Sequence, residues 1–150
     1  MRISEAMKPD DLLLGVSASS KDKLLQLLSE HAGAALAVSE ETILTALRSR
    51  ESLGSTGIGA GIAIPHAPVD GLVAPFVLLA RLAKPVEFEA IDEEPVDVVC
   101  LILTPPGEQN RYLKLLSSVT RQLRSADTLG TIRQAADRER VYRAFAEVEG

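Results

Sequence analysis

Three short apolar runs in the middle of the chain, GIAIP, PFVLLARLA and VDVVCLILTP, are bounded by Gly and Pro. Runs of that length and composition predict buried strands, so a sheet lies at the centre of the fold. KPVEF is a further strand candidate, and IDEEP between the runs carries the acidic residues and the proline of a turn. The predicted sheet has four or five strands.

Helical spacing brackets this region on both sides. From Lys21 to Leu36 the apolar residues Leu24, Leu27, Leu28, Ala35 and Leu36 fall near a helical repeat, with Ser19 and Ser20 ahead of them as N-caps. A second helix starts at Ser39 and runs through Ile43, Leu44, Ala46 and Leu47 to about Arg50. After the Pro105-Pro106-Gly107 break, Leu113, Leu116, Val119, Thr120 and Leu123 recur at steps of three and four, which predicts a helix with one apolar face. Two shorter helices are expected near Ser125 or Asp127 and near Asp137, the last burying Val141, Tyr142 and Phe145. Helices before and after a set of strands point to an α/β or α+β sandwich with a mostly covered sheet. With 150 residues and no repeat or linker, residues 1–150 are expected to form one domain.

Composition removes several classes of function. Apolar residues make up 46% of the chain and charged residues 25%, the balance of a folded globular protein. The formal net charge is −5, and no run of Lys or Arg is long enough to follow a phosphate backbone, so nucleic acid is not an expected partner. The opening MRISEAMKPDDLLLGVSASS lacks the features of a signal peptide, and no stretch approaches the roughly 18 apolar residues of a membrane span. A cytoplasmic location without membrane insertion is the expectation. Cys100 is the only cysteine and lies inside an apolar run, which rules out a disulfide framework and reads as core packing. With two His and one buried Cys, a metal site would have to rely on carboxylates such as Asp70, Glu87 or Asp92 at no recognisable spacing; none is expected.

The densest chemical signal is GSTGIGAGIAIPHA, residues 54–67, in which Gly54, Gly57, Gly59 and Gly61 lead into an apolar strand that stops at Pro65-His66. Glycine at that density admits positive φ and close approach of an anion. Ser55, Thr56 and the amides around Gly57 and Gly59 are candidate donors to an oxyanion. Neither a P-loop nor a dinucleotide fingerprint fits, because no Gly-Lys-Ser/Thr is present and Gly59-Ala60-Gly61 runs into Ala63-Ile64. His66 follows a proline that stiffens the strand end, and imidazole offers a nucleophilic nitrogen near neutral pH with a second nitrogen free to be oriented. A plain glycine-rich turn and a capping or surface histidine remain the competing accounts on these residues alone. Arg50, a few residues before the loop, can either pair with an added phosphoryl group or satisfy the helix C-terminus. His31 lies on the stripe of its helix and reads as half-buried packing, and the acidic turn Asp92, Glu93, Glu94 and Asp97 reads as a solvated loop.

The run from Arg50-Glu51-Ser52-Leu53-Gly54-Ser55-Thr56-Gly57-Ile58-Gly59 to Gly61-Ile62-Ala63-Ile64-Pro65-His66 closely resembles the type-2 IIA domains of the bacterial phosphoenolpyruvate-dependent phosphotransferase system. Phe88-Glu89-Ala90-Ile91-Asp92, Pro95-Val96-Asp97 and residues 113–123 extend the resemblance over nearly the whole chain. STGIGxGIAIPH is most similar to the nitrogen-related branch of that family. The resemblance implies a mixed sheet with helices on both faces, no soluble cofactor, and a phosphoryl group carried on His66. It also implies an HPr-like donor charged by Enzyme I, and a IIB domain or a regulated target protein as acceptor. Arg50 corresponds to an arginine near the phosphorylation site.

One position departs from the pattern. Many members carry a second histidine at the start of the helix after the Pro-Pro break, where this sequence has Tyr112. A phenol, with a reference pKa of about 10, can donate a hydrogen bond there but cannot share a proton near pH 7. The expected function is a regulatory phosphocarrier. Its rivals are a sugar-specific IIA component, a binding module that has lost phosphotransfer, and an enzyme acting on a small phosphorylated metabolite.

Overall fold

A computed structural model describes residues 1–107 and 109–147. The strands are β1 (Leu12–Val16), β2 (Gly57–Gly59), β3 (Ile62–Ala63), β4 (His66–Pro68), β5 (Phe76–Val86) and β6 (Val96–Thr104). The helices are α1 (Lys21–Leu36), α2 (Glu40–Ser52), α3 (Leu113–Arg124), α4 (Ala126–Gln134) and α5 (Arg138–Ala146). Along the sheet the order is β1-β5-β6-β3-β2, with β4 also paired to β6. β1 is parallel to β5, β5 antiparallel to β6, β6 parallel to both β3 and β4, and β3 antiparallel to β2. The sheet is therefore mixed.

The six strands exceed the expected four or five. KPVEF does not form a strand of its own; Lys84, Pro85 and Val86 finish β5 after a break in its register with β6 between Arg81 and Val86. GIAIP divides instead. Ile62 and Ala63 pair with β6 as β3, and the chain rejoins the same strand at His66 as β4. Pro65 interrupts it because a proline nitrogen cannot donate to the ladder, although its carbonyl still accepts from the Ile102 amide at 3.0 Å. β1 had no clear signal, since Leu12-Leu13-Leu14-Gly15-Val16 does not alternate and is only partly covered.

Period-two alternation places the core on both sides of the sheet. Leu78, Ala80 and Leu82 of β5 and Val99, Leu101 and Leu103 of β6 pack with Leu24, Leu28, Ile43 and Leu47 of α1 and α2. Val77 and Leu79 of β5, with Val98, Cys100 and Ile102 of β6, pack with Val119, Leu123, Ile132, Val141 and Phe145 of α3, α4 and α5. Cys100 is fully buried there, and desolvation pushes its thiol well above the usual range.

α1, α2, α4 and α5 each begin where a side chain can satisfy the first amides, whereas Tyr112 ahead of α3 makes no such bond. Ser20 Oγ accepts from the Lys23 amide at 3.1 Å, Ser39 Oγ from Thr42 at 3.3 Å, and an Asp137 carboxylate oxygen from Glu139 at 3.0 Å. α1 buries Leu24, Leu25, Leu28 and Ala32, whereas Leu27 and Ala35 of the expected stripe face outward. The helix presents the i, i+4 row through Leu24 and Leu28 to the sheet, and α2 covers its flank through the Asp22–Arg48 pair at 2.8 Å. Tyr142 is half-buried, its hydroxyl donating to the Met7 carbonyl at 2.6 Å, while Val141 and Phe145 are fully buried as expected.

The glycine segment is short of space as well as free in φ. A Cβ on Gly57 would lie 2.8 Å from the Ala90 Cβ and 2.9 Å from its Cα, both fixed atoms. Gly57→Ala is expected to destabilise the fold by about 2 kcal/mol through overpacking, read as a lower midpoint of urea unfolding at unchanged slope. A midpoint equal to that of the parent chain would contradict this packing.

Candidate functional site

The break at Pro65 sets the orientation of His66. The residue opens β4 opposite Ile102 of β6, half-buried, with its Nδ1 2.8 Å from the Ile64 carbonyl oxygen. A carbonyl oxygen can only accept, so Nδ1 carries the hydrogen and the lone pair of the neutral ring resides on Nε2. Nε2 is thus the nitrogen left to face the adjoining cavity of about 240 Å³, which His66 lines with Arg50, Thr104, Tyr112, Leu113 and Leu116. Apolar carbons from Leu113 and Leu116 narrow the space around the ring, and Leu113 is itself exposed at the rim.

Arg50 reaches this cavity from the last turn of α2. Its Nη1 donates to the Gly54 carbonyl at 2.9 Å, which ties the guanidinium to the start of the glycine loop and leaves donors of the fork unassigned to that bond. Gly54 has φ +144°, a conformation open to glycine, and that turn brings its carbonyl back toward Arg50. Tyr112 ends the 3₁₀ turn Gln109–Tyr112 and precedes α3; it is 6% exposed, with the Arg111 guanidinium 5.7 Å from its ring centre. The structure therefore brings Arg50, His66 and Tyr112 to one cavity from three separate segments.

The expected oxyanion donors of the loop are used elsewhere. Ser55 Oγ donates to the Phe88 carbonyl at 2.6 Å and accepts from the Gly57 amide at 3.1 Å. The Thr56 amide donates to Glu51 Oε1 at 3.1 Å, and its hydroxyl donates to Glu51 Oε2. Gly57 O accepts from the Ile91 amide at 3.2 Å, and Gly59 lies against the Asp92 carboxylate. None of Ser55, Thr56, Gly57 and Gly59 lines the cavity, so direct anion binding by these residues gives way to a different task. They knit the loop to its surroundings and hold the two strand ends around His66. The turn at residues 59–61 is fastened by Asp92, which accepts from the Ala60 amide at 3.0 Å, and by Arg133, which donates to the Ala60 carbonyl at 2.6 Å and to Asp97 Oδ1 at 2.8 Å. The Ala60 amide, joined by that of Glu94 at 3.1 Å, holds the Asp92 carboxyl below its ordinary range.

His31 is remote from this chemistry. It is half-buried on α1 with Nε2 3.8 Å from Asp11 Oδ1. A wider depression of about 470 Å³ between α4 and α5 is lined by Asp127, Thr131, Gln134 and Arg140, with no imidazole or thiol. Size does not select the site; the placement of His66 does. Sequence reasoning passed over Thr104 and Glu51. Thr104 ends a strand read as apolar core, and Glu51 sits in a helix turn that looks solvent-facing until the loop folds over it.

Residues 5–148 match the family described as "Phosphoenolpyruvate-dependent sugar phosphotransferase system, EIIA 2". The chain is 36% identical over 146 residues to a nitrogen regulatory protein of Bradyrhizobium diazoefficiens, covering 97% of this chain and 95% of that protein. The crystal structure of nitrogen regulatory protein IIA-Ntr from Neisseria meningitidis superposes with a TM-score of 0.91 at 26% identity, covering 96% of this chain and 99% of that one. The Escherichia coli complex of enzyme IIA mannitol with phosphorylated enzyme IIB mannitol shares the fold, with a TM-score of 0.78 at 19% identity over 95% of this chain and 99% of the matched one.

Proposed function

The chain belongs to the EIIA 2 family of the phosphoenolpyruvate-dependent sugar phosphotransferase system, and from that membership we propose that it is a regulatory phosphocarrier, phosphorylated reversibly on Nε2 of His66. The observation that carries this reading is the bond from His66 Nδ1–H to the Ile64 carbonyl beside a cavity shared with Arg50.

An HPr-like protein carrying a phosphorylated nitrogen is the donor. The Nε2 lone pair attacks its phosphorus, the new N–P bond forms as the donor's N–P bond breaks, and the electron pair returns to the donor's nitrogen. Charge on the imidazole rises during the attack, and the Ile64 carbonyl stabilises it through Nδ1–H. Arg50, which lines the same cavity, supplies positive charge to the phosphoryl oxygens, the electrostatic help that phosphoryl transfer needs most. The exchange balances without a cofactor. Passage to an acceptor is the same step reversed, with a IIB domain or a regulated target protein in the donor's place. Residues 1–150 act as one phosphoryl-carrying domain. No described helix is long and apolar enough to cross a membrane, and the reading puts the protein in the cytoplasm with its donor.

The resemblance to nitrogen regulatory proteins favours regulation. A second reading, a IIA component that serves a sugar permease through a separate IIB domain, has the same chemistry and is supported by the family's own description. Transfer of the phosphoryl group to a cognate IIB decides for transport.

Intact mass after incubation with phosphoenolpyruvate, Enzyme I and an HPr-type carrier tests the proposal. One added phosphoryl group, acid-labile and alkali-stable, is the expected result. No added mass with cognate donors sinks the carrier role and leaves a module that acts by contact alone. Tyr112→His probes the departure from the family pattern. An imidazole at that wall can exchange a proton near neutral pH, so the transfer rate or the lifetime of the phosphohistidine is expected to change severalfold. If neither moves, Tyr112 does not tune the site.

A further inference from the structure

We propose that Glu51 is the positioning residue for the His66 imidazole, acting through a chain of hydrogen bonds that runs from Lys21 to Nδ1. The inference rests on the reading of His66 as the phosphoryl acceptor and assigns a carboxylate outside the cavity to that site.

The Glu51 side chain is 6% exposed, an unusual burial for a glutamate. Three donors converge on it. Lys21 Nζ lies 3.0 Å from Oε1, the Thr56 amide donates to the same oxygen at 3.1 Å, and the Thr56 hydroxyl donates to Oε2. Lys21 opens α1 and is itself 17% exposed, its ammonium 4.6 Å from the centre of the Phe88 ring and 3.5 Å from Glu89 Oε1. Thr56 is 4% exposed. Its carbonyl accepts from the Ile64 amide at 3.0 Å, and the Ile64 carbonyl accepts from His66 Nδ1 at 2.8 Å.

From Thr56 onward the chain runs through single hydrogen bonds, the Thr56 carbonyl to the Ile64 amide and the Ile64 carbonyl to Nδ1. The bend at Ile64-Pro65 takes residue 64 out of β3, so its amide does not enter the ladder and is held by Thr56 alone. Were Thr56 to shift, the Ile64 amide would lose its acceptor, residue 64 would be free to turn about its φ and ψ, and the Ile64–Pro65 peptide would carry its carbonyl away from Nδ1. The imidazole would then lose the bond that keeps the lone pair on Nε2. A buried ion pair of this kind adds little net stability, because desolvation offsets its attraction, but removing one member leaves a charge, or the amide and hydroxyl of Thr56, unmatched. Its contribution is to fix one arrangement of the loop, and the arrangement it fixes ends at the reacting ring. Glu51 also follows Arg50 directly on the last turn of α2, so one helix end supplies both the guanidinium in the cavity and the anchor beneath the loop.

The test compares the parent chain with Glu51→Gln and Glu51→Ala by two readouts. The first is the rate of His66 phosphorylation by a phosphorylated HPr-type carrier. The second is the tautomer of the His66 ring, read from the nitrogen chemical shifts of the ¹⁵N-labelled protein without any donor. Glu51→Ala is expected to slow phosphorylation by about 10- to 100-fold and to move the neutral ring toward the Nε2–H tautomer. Glu51→Gln keeps an acceptor for the Thr56 amide and should show a smaller change of both kinds. It also carries the test if the alanine variant does not fold. An unchanged tautomer in the folded variants overturns the proposal, whether the rate falls or not, because a merely structural carboxylate would leave the ring as it is. If the parent chain takes no phosphoryl group, the carrier reading fails, and the tautomer comparison still decides whether Glu51 orients His66.

Discussion

His66→Gln is expected to abolish phosphorylation completely, and in the parent chain the phosphorus is expected on Nε2. The first half follows from chemistry, since an amide nitrogen has no lone pair available for attack and no other imidazole or thiol lines the cavity. The second half follows from geometry. Nδ1 is 2.8 Å from the Ile64 carbonyl oxygen and spends its hydrogen there, which makes Nε2 the nucleophile in the neutral ring. Gln fits the space and can still offer an amide donor, so the fold is expected to survive with an unchanged circular dichroism spectrum. The two ring nitrogens give phosphohistidine isomers with distinct phosphorus and nitrogen shifts, and a spectrum of the phosphorylated protein separates them. Phosphorus on Nδ1 would mean that the ring turns over before it reacts, and retained phosphorylation in the glutamine variant would move the acceptor elsewhere.

How much of this was legible in the sequence depended on whether the signal was local. The α2 boundary was readable because Ser39 caps it and the apolar residues Ile43 and Leu47 sit four apart on its buried face. The three-layer arrangement followed from strands between helices, and the pairing of β3 and β4 with a single partner did not. That depends on Pro65, whose missing donor divides a run that otherwise reads as one strand. β1 went unseen for a related reason. Five residues with a glycine among them carry no alternation, and only the exposed edge of β5 makes a strand of them.

The candidate site divides along the same line. His66, Arg50 and Tyr112 were each visible as residues, the first by its proline and glycine context, the second by its place before the glycine loop and by the family resemblance, and the third through that resemblance alone. Their meeting at one cavity needed β4, the end of α2 and the start of α3 to be placed together, which no spacing encodes. The glycine loop misled in one respect. Its hydroxyls and amides have the composition of an anion cradle, yet Ser55 turns to Phe88 and Thr56 to Glu51. Donors near a histidine in sequence are not thereby donors to what the histidine carries.

Arg50→Ala is expected to lower the rate of phosphoryl transfer to His66 by about 10²- to 10³-fold, the usual cost of removing one preorganised donor from developing negative charge. Two effects of the guanidinium have to be separated. It supplies charge to the cavity, and through its 2.9 Å bond to the Gly54 carbonyl it also steadies the loop. Arg50→Lys retains the charge but loses the planar fork, so it cannot hold Gly54 and face the phosphoryl oxygens together. If charge dominates, the lysine variant recovers most of the rate; if the fork matters, it stays near the alanine value. We expect the second outcome, because an ammonium that pairs with the phosphoryl group releases Gly54 and one that holds Gly54 leaves the phosphoryl unpaired. Rapid-quench measurement of single transfers from a phosphorylated carrier reads the rate directly. An alanine variant within twofold of the parent chain would show that the phosphoryl charge is met by the partner protein instead of by Arg50.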